Sequence, residues 1–185
     1  MKRINVIGTT GSGKTTFSKQ LSRVLGVPYI QLDQLFWKPN WLESTDEEFF
    51  SKVTEAVSRD AWVLDGNYSR TNDIKWARAD TVIWLDLNYF VTFSQLFVRT
   101  LHRAITKDEL WPNTGNRESF RKSFFDSSSI LIWFFKNYRS NRVKYLQLLQ
   151  SDEYPAINFV HIKTRQEAKQ FVDKIALSGQ NRHEF

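Results

Sequence analysis

The apolar positions of this chain fall into two rhythms. Five short runs are continuous and rich in β-branched and aromatic residues: Ile4-Asn5-Val6-Ile7, Tyr29-Ile30-Gln31-Leu32, Ala61-Trp62-Val63-Leu64, Thr81-Val82-Ile83-Trp84-Leu85 and Ile157-Asn158-Phe159-Val160-His161-Ile162. Runs of that length and composition predict buried strands. Between them, apolar residues return every three or four positions, the spacing of one helix face. Phe17, Leu21, Val24 and Leu25 define a helix starting near Lys14. Phe49, Val53 and Val57 define another from Thr45 or Asp46 to about Ser58, and Phe93, Leu96, Phe97 and Leu101 a third from about Tyr89 to Ala104. A short helix starts at Thr71 or Asn72 and runs to about Arg78, and a long helical tract runs from position 118 to about 150, bent near the serines at 127 to 129. Thr164 caps a closing helix, with Glu167 completing a capping box and Ala168, Phe171, Val172 and Ile175 facing inward. Strands alternating with helices predict an α/β fold: a five-stranded parallel sheet between two helical layers, a three-layer sandwich.

The pattern lapses in three places. Residues 34 to 44 carry Phe36, Trp37, Pro39 and Trp41 without periodicity and read as an irregular aromatic excursion. Residues 107 to 116, with Trp111, Pro112 and Gly115, read as a loop, and residues 178 to 185 as a frayed, disordered tail. Residues 1 to 177 are expected to form one domain, with an insertion over 34 to 60 and a helical segment over 99 to 145.

Between the first strand and the first helix lies Gly8-Thr9-Thr10-Gly11-Ser12-Gly13-Lys14-Thr15, the G-x-x-x-x-G-K-[ST] pattern of a phosphate-binding loop, or P-loop. Its glycines allow positive φ and a close approach of ligand to backbone, so that the N–H groups of Thr10, Gly11, Ser12 and Gly13 can turn inward as an anion nest. The helix that follows adds the free N–H groups of its first turn, Thr16 among them, and the positive end of its dipole. Lys14 can reach the β- and γ-phosphates, and the Thr15 hydroxyl is placed to ligate Mg²⁺. In a parallel sheet ligands bind beyond the carboxyl ends of the strands. There Gly8 is expected to meet Asp33, Asp65 and Asp86, one acid after each of the next three strands.

Composition removes alternatives. With no cysteine there is no disulfide framework and no thiolate nucleophile or metal ligand, and three histidines at 102, 161 and 183 are too dispersed for a metal site. The first strand begins too early to leave room for a signal peptide, and no apolar run is long enough to span a bilayer, so a cytoplasmic protein without a membrane partner is expected. The net charge of +6 is unevenly spread. Residues 1 to 98 carry 11 Lys and Arg against 11 Asp and Glu, residues 99 to 145 carry 10 against 4, and residues 146 to 185 carry 5 against 5. The whole excess therefore lies in 99 to 145. Such a face suits nucleotide phosphates or a nucleic acid backbone, or is a solvated helix surface whose basic stems cover apolar side chains.

Guanine-reading motifs such as N-K-x-D are absent, which argues against a switch GTPase. A small kinase needs two anion pockets and a basic lid that excludes water before transfer, and the segments at 34 to 60 and 99 to 145 can supply an acceptor-binding insertion and that lid.

In segment order the chain resembles the adenylate kinase-like P-loop kinases, a nucleoside monophosphate kinase-like fold with a helical lid that includes shikimate and gluconate kinases. More specifically, Leu32-Asp33-Gln34-Leu35-Phe36-Trp37-Lys38-Pro39-Asn40-Trp41, Trp62-Val63-Leu64-Asp65-Gly66-Asn67-Tyr68 and Ala79-Asp80-Thr81-Val82-Ile83-Trp84-Leu85-Asp86 are similar to bacterial proteins labelled DNA topology modulation proteins. The likeness extends to about Ile175. Asp65-Gly66 matches the start of the Asp-Gly-Phe-Pro-Arg segment of adenylate kinases, but Asn67-Tyr68-Ser69 replaces Phe-Pro-Arg and Arg70 falls one place late, so AMP is not implied as the acceptor. The resemblance implies that Arg99 and Arg103 contact the donor nucleotide at the leading hinge of the lid, that Arg139 and Arg142 serve its trailing end, and that Asp33 binds the acceptor or Mg²⁺ water.

These readings combine into transfer of the γ-phosphoryl group from Mg·ATP to a small-molecule or nucleotide acceptor. Lys14 and Arg103 offset charge on the moving group, Thr15 with Asp65 or Asp86 holds Mg²⁺, and Asp33 orients or deprotonates an acceptor hydroxyl. Asn67 and Trp37 are placed on the acceptor side, with Trp37 and Trp41 either stacking on an acceptor ring or packing in the interior. The rival is a nucleic-acid-associated P-loop NTPase, which only the basic segment favours. A third possibility is a nucleotide-binding protein without turnover.

Overall fold

The computed structural model of the chain describes residues 1–112, 114–118 and 129–180. Its strands are β1 (Arg3–Gly8), β2 (Tyr29–Gln31), β3 (Trp62–Asp65), β4 (Thr81–Leu85) and β5 (Asn158–Ile162), in one sheet of order β2-β3-β1-β4-β5. All four pairings are parallel, with Val6 opposite both Asp65 and Ile83. The α/β expectation and the five-stranded parallel sheet hold. β1 lies in the middle, flanked by β3 and β4, and the chain winds away from it on both sides. A crevice opens where such a sheet reverses its strand order, beyond the carboxyl ends.

Side chains on successive strand positions point to opposite faces, and each face has its own core. Ile4, Val6, Val63, Ile83 and Leu85 pack against Phe17 and Leu21 of α1 (Lys14–Leu25) and Val172 of α7 (Arg165–Gln180). Ile7, Trp62, Leu64, Val82 and Trp84 pack on the other side against α2 (Leu32–Phe36), α3 (Asp46–Val57), α4 (Asn72–Lys75) and Tyr145 of α6 (Ile130–Gln150). Two helical layers thus enclose the sheet. Asn5 sits on the second face, fully buried. Its amide donates to the Leu64 and Gly66 carbonyls, each at 3.1 Å, and accepts from the Trp76 indole at 2.8 Å, so a polar group in the core is fully paired.

Several boundaries differ from the expected ones. β2 stops at Gln31, and Asp33 lies in the first turn of α2 rather than at the strand end. The third strand includes Asp65. Thr45 rather than Asp46 caps α3, accepting the Glu48 N–H at 3.3 Å while Glu48 takes the Thr45 N–H at 3.0 Å. Behind a single turn at Ser69–Thr71, α4 ends at Lys75, three residues early. α5 (Tyr89–Thr106) runs two residues further than expected and ends on Lys107 at φ 53. Within the long tract a helix starts at Ile130. Ser129 caps it by accepting the Leu131 N–H at 3.2 Å, so a helix starts where a bend was expected. The earlier part of that tract, Arg121 included, lies outside the described residues. The closing helix reaches Gln180, past the expected tail boundary at 178, and residues 181–185 also lie outside the description.

Candidate functional site

The loop between β1 and α1 adopts the shape its glycines predict. Gly8, Gly11 and Gly13 have φ of 150°, 83° and 86°. A Cβ on Gly11 would lie 2.7 Å from the Thr92 carbonyl oxygen and 2.8 Å from the Leu96 Cβ, so the loop is pressed against α5 where no other residue fits. The Ser12 N–H turns back to the Thr9 carbonyl at 3.1 Å, and Lys14 Nζ donates to the same carbonyl at 3.0 Å. Burial holds the Lys14 ammonium below its usual range, with Asp65 and then Asp33 opposing that shift and Arg99 adding to it. A site that disfavours an isolated positive charge becomes favourable once phosphate enters.

β3 delivers the acid. Asp65 is buried, and its Oδ2 accepts from the Thr15 hydroxyl at 2.6 Å and from the Tyr29 hydroxyl at 3.1 Å. A parallel register puts Gln31 opposite Asp65, so a tyrosine two residues earlier on β2 reaches the same carboxylate. Burial and the Asp65 charge push the Tyr29 phenol above its usual range, so it stays a donor.

The next three residues tie the two sides of the site together. Asn67 grips the start of the P-loop with both ends of its amide: Oδ1 accepts the Gly8 N–H at 3.0 Å and Nδ2 donates to the Gly8 carbonyl at 2.9 Å. Tyr68, at the unusual φ of 21°, donates its hydroxyl to Asp33 Oδ1 at 2.7 Å. Burial raises the Asp33 carboxyl above the ordinary carboxylate range, and Asp65 adds to the effect, while the Tyr68 hydrogen bond, Lys14 and Arg99 oppose it. Asp33, Asp65, Lys14 and Arg99 therefore share one electrostatic neighbourhood.

α5 supplies the basic wall. Arg99 donates from Nη2 to Thr10 Oγ1 at 3.2 Å, while its Nε is buried without a partner among the described residues. Burial, then Arg103 one turn on, lowers its pKa, which Glu118, Asp33 and Asp65 oppose. Arg103 pairs with Glu118 at 3.1 Å. Two clefts flank the P-loop. One, of about 810 Å³, is lined by Lys14, Thr15, Arg99, His102 and Arg103; the other, of about 610 Å³, runs past Thr16, Phe17, Gln20 and Ala168 between α1 and α7. Both include Gly13, Gln95 and Arg165. With its oxygen turned to Arg165, Gln95 accepts at 2.8 and 3.1 Å.

Four candidate residues are placed elsewhere. Asp86 accepts from Arg142 Nε at 3.1 Å on both oxygens and contacts His161 Nε2 at 3.0 Å, and His161 stacks on Trp84 with ring centres 4.2 Å apart. Asp86 is thus a fastener joining β4, β5 and α6, while Asp65 is the acid that meets Thr15. Arg142 is held by Asp86 rather than by the P-loop, and Arg139 is exposed without a polar partner among the described residues. The reason is register: α6 starts at Ile130 and brings Arg142 to the end of β4, away from the loop. Trp37 packs against Trp41 at 5.5 Å and parallel to Trp111 at 6.5 Å. Trp111 belongs to the loop after α5, where Asn116 accepts the Trp41 N–H at 2.8 Å and donates to the Lys38 carbonyl at 2.9 Å. The aromatic excursion and the loop after α5 are latched to one another, and Trp37 is half-buried in that aromatic contact.

Tyr29, Tyr68, Gln95, Arg165 and Asn116 escaped the sequence reading. Only Tyr68 had a signal, its place directly after Asp65-Gly66-Asn67. The others act through pairings set by tertiary register.

The model of the AAA domain family matches residues 4–119. No curated protein matches the chain in sequence. Among solved structures it is similar to a gluconokinase from Sinorhizobium meliloti 1021, at 18% identity and a TM-score of 0.51 over 98% of this chain and 92% of that one. It is also similar to the shikimate kinase of Bacteroides thetaiotaomicron, at 16% and 0.52 over 97% and 98%. A third is the shikimate kinase of Aquifex aeolicus, at 16% and 0.50 over 98% of each chain. These likenesses show a shared fold, and none of the three carries the DNA topology label. No helix among the described residues is long and apolar enough to cross a membrane.

Proposed function

The chain belongs to the AAA domain family, and from that premise we propose that it is a phosphotransferase moving the γ-phosphoryl group of ATP to a small-molecule or nucleotide acceptor held beside Asp33. The observation that carries this reading is the meeting of Lys14, Arg99, Asp65 and Asp33 at the carboxyl end of the sheet, two cations and two acids around a glycine-lined loop. The gluconokinase and shikimate kinases of similar fold support a small-molecule acceptor by analogy.

The residues fit a nucleotide and its metal. Gly11 seats the loop against α5 at a position that a Cβ would block, and the buried Nε of Arg99, without a partner among the described residues, has a donor to spare for a phosphate oxygen. Thr15 and Asp65 would hold Mg²⁺, which when bound neutralises charge across the β- and γ-phosphates. The cleft past Thr16 and Gln20 would take the base and ribose. Lys14 and Arg99, with Arg103 at the lid hinge, would stabilise charge on the transferred group by fixed position rather than by covalent chemistry. Asp33 is suited to take a proton from an acceptor hydroxyl. Its raised pKa moves a carboxylate toward the operating pH, and the Tyr68 hydroxyl fixes which oxygen is free. The latch through Asn116 would couple the lid to the acceptor side, so that water is excluded when both are in place.

The test is ADP release from Mg·ATP in the presence of nucleosides, nucleotides and hydroxylated metabolites. Acceptor-dependent ADP, lost in Lys14→Ala, supports the proposal. Turnover that responds to DNA alone would replace it with the nucleic-acid-associated NTPase.

A further inference from the structure

Lys75 is an ionisable group that the reaction above does not use. It is fully buried at the end of α4, and no carboxylate pairs with it among the described residues. Its ammonium donates instead to two backbone carbonyls, a short contact to Asn67 and one to Tyr68 at 3.3 Å. Those residues carry the two side chains that bridge the site: the Asn67 amide closes on both polar backbone atoms of Gly8, and the Tyr68 hydroxyl closes on Asp33. The segment between them is not in a relaxed shape. Tyr68 has a φ of 21°, and a Cβ on Gly66 would lie 2.8 Å from the Leu32 Cβ. A backbone in that state persists only where its surroundings over-determine it. An apolar residue would fill the same buried space without the cost of desolvating an ammonium, so the carbonyl contacts account for the lysine.

We propose that Lys75 is a positioning residue that holds the Asn67-Tyr68 backbone in the one shape from which Asn67 sets the P-loop and Tyr68 sets Asp33, coupling the donor and acceptor halves of the site. The inference rests on the reading of Gly8 as donor side and Asp33 as acceptor side. The groups around Lys75 are consistent with such a role. The Trp76 ring lies 5.8 Å from Nζ, and the one facing charge among the described residues is Lys144 on α6, whose ammonium is held by Ser69 Oγ at 2.7 Å. Burial first, and then Lys144, lowers the Lys75 ammonium to about 7. A charged ammonium still donates the stronger hydrogen bonds to the two carbonyls, so the grip is strongest in the protonated form.

A double-mutant cycle tests the inference. Dissociation constants for Mg·AMP-PNP are measured by calorimetry for wild type, Lys75→Met, Asn67→Ala and the double variant, with circular dichroism as the check on folding. Each single substitution should weaken binding about tenfold, the size of a lost buried hydrogen-bond anchor. The double variant should be no weaker than Asn67→Ala alone, because Lys75 acts through Asn67. A Lys75→Met protein that binds like wild type, or losses that multiply in the double variant, would overturn the inference. A second measurement needs no variant. With lysine side chains labelled for NMR, the titration midpoint of Lys75 should move up by about half a pH unit on adding Mg·AMP-PNP, the reciprocal of roughly threefold tighter nucleotide binding by the protonated form. An unmoved midpoint would also overturn it. If wild type itself bound no Mg·AMP-PNP, the donor-site reading would fall and this inference with it. If wild type bound and Lys75→Met matched it, only this inference would fall.

Discussion

Raising the pH from 7 to 10 should stabilise the wild-type protein relative to Lys75→Met, and the structure sets the size of the effect. Burial lowers the Lys75 pKa from 10.5 to about 7. Below pH 7 the ammonium is charged in both folded and unfolded chains, so the burial penalty is present in full. Between 7 and 10.5 the unfolded chain keeps a proton that the folded chain has released, and stability rises with pH because the unfolded state binds more protons. The slope approaches about 1.4 kcal/mol per pH unit, so the three units from 7 to 10 amount to roughly 4 kcal/mol. Lys14 is shifted in the same direction and Asp33 in the opposite one, but both are present in the two proteins and drop out of the difference. Tyr29 and Tyr68 are raised from 10, so they begin to lower stability near pH 10 as the unfolded chain releases their protons, equally in the two proteins. Urea denaturation followed by circular dichroism at half-unit pH steps gives the two unfolding curves. The difference between the extrapolated free energies should widen steadily in favour of wild type. Curves that stay parallel from pH 7 to 10 would show that Lys75 keeps an ordinary pKa, and would refute the reasoning from its burial.

Other substitutions separate the roles of neighbouring groups. Gly11→Ala places a methyl 2.7 Å from the Thr92 carbonyl at φ 83°, so it should cost about 2–4 kcal/mol in stability by denaturant titration and abolish Mg·ATP binding by calorimetry. Asp33→Asn should leave Mg·ATP affinity within about twofold and remove phosphoryl transfer. Because burial raises the folded Asp33 pKa, its ionised form costs stability above that pKa, and the neutral amide should raise the melting temperature at pH 7. The two acids left open by the sequence should part company. Asp86→Asn, which weakens the contacts to Arg142 and His161, should cost about 1–3 kcal/mol of stability with Mg·ATP affinity unchanged. Asp65→Asn, losing the charge beside Thr15, should instead raise the Mg²⁺ concentration needed for half-maximal nucleotide binding by about tenfold.

The fold was legible because its signals are local. β-branched runs such as Val82-Ile83-Trp84-Leu85 are buried on both sheet faces, and Phe17 and Leu21 line the inner face of α1 as their spacing requires. The P-loop was legible for the same reason, since its glycines and Lys14-Thr15 act within eight residues. What could not be read depends on pairings across the sheet. Nothing in the spacing of Tyr29 and Asp65 says that they meet; the parallel register of β2 on β3 does. Asp86 and Asp65 look alike as strand-end acids, and only the approach of α6 and β5 commits Asp86 to Arg142 and His161. Asn67 was expected on the acceptor side, but its amide faces Gly8. Lys75 carried no signal, because a lysine in a short polar helix reads as solvent-exposed until the fold buries it against the Asn67 and Tyr68 carbonyls.

Phosphoryl transfer itself is the decisive observation. With γ-labelled Mg·ATP and a pool of small hydroxylated metabolites and nucleotides, label should pass to an organic acceptor faster than it appears as inorganic phosphate, and Lys14→Ala and Asp33→Asn should each stop the transfer. Label released only as inorganic phosphate, or transfer that survives Asp33→Asn at the wild-type rate, would contradict the account.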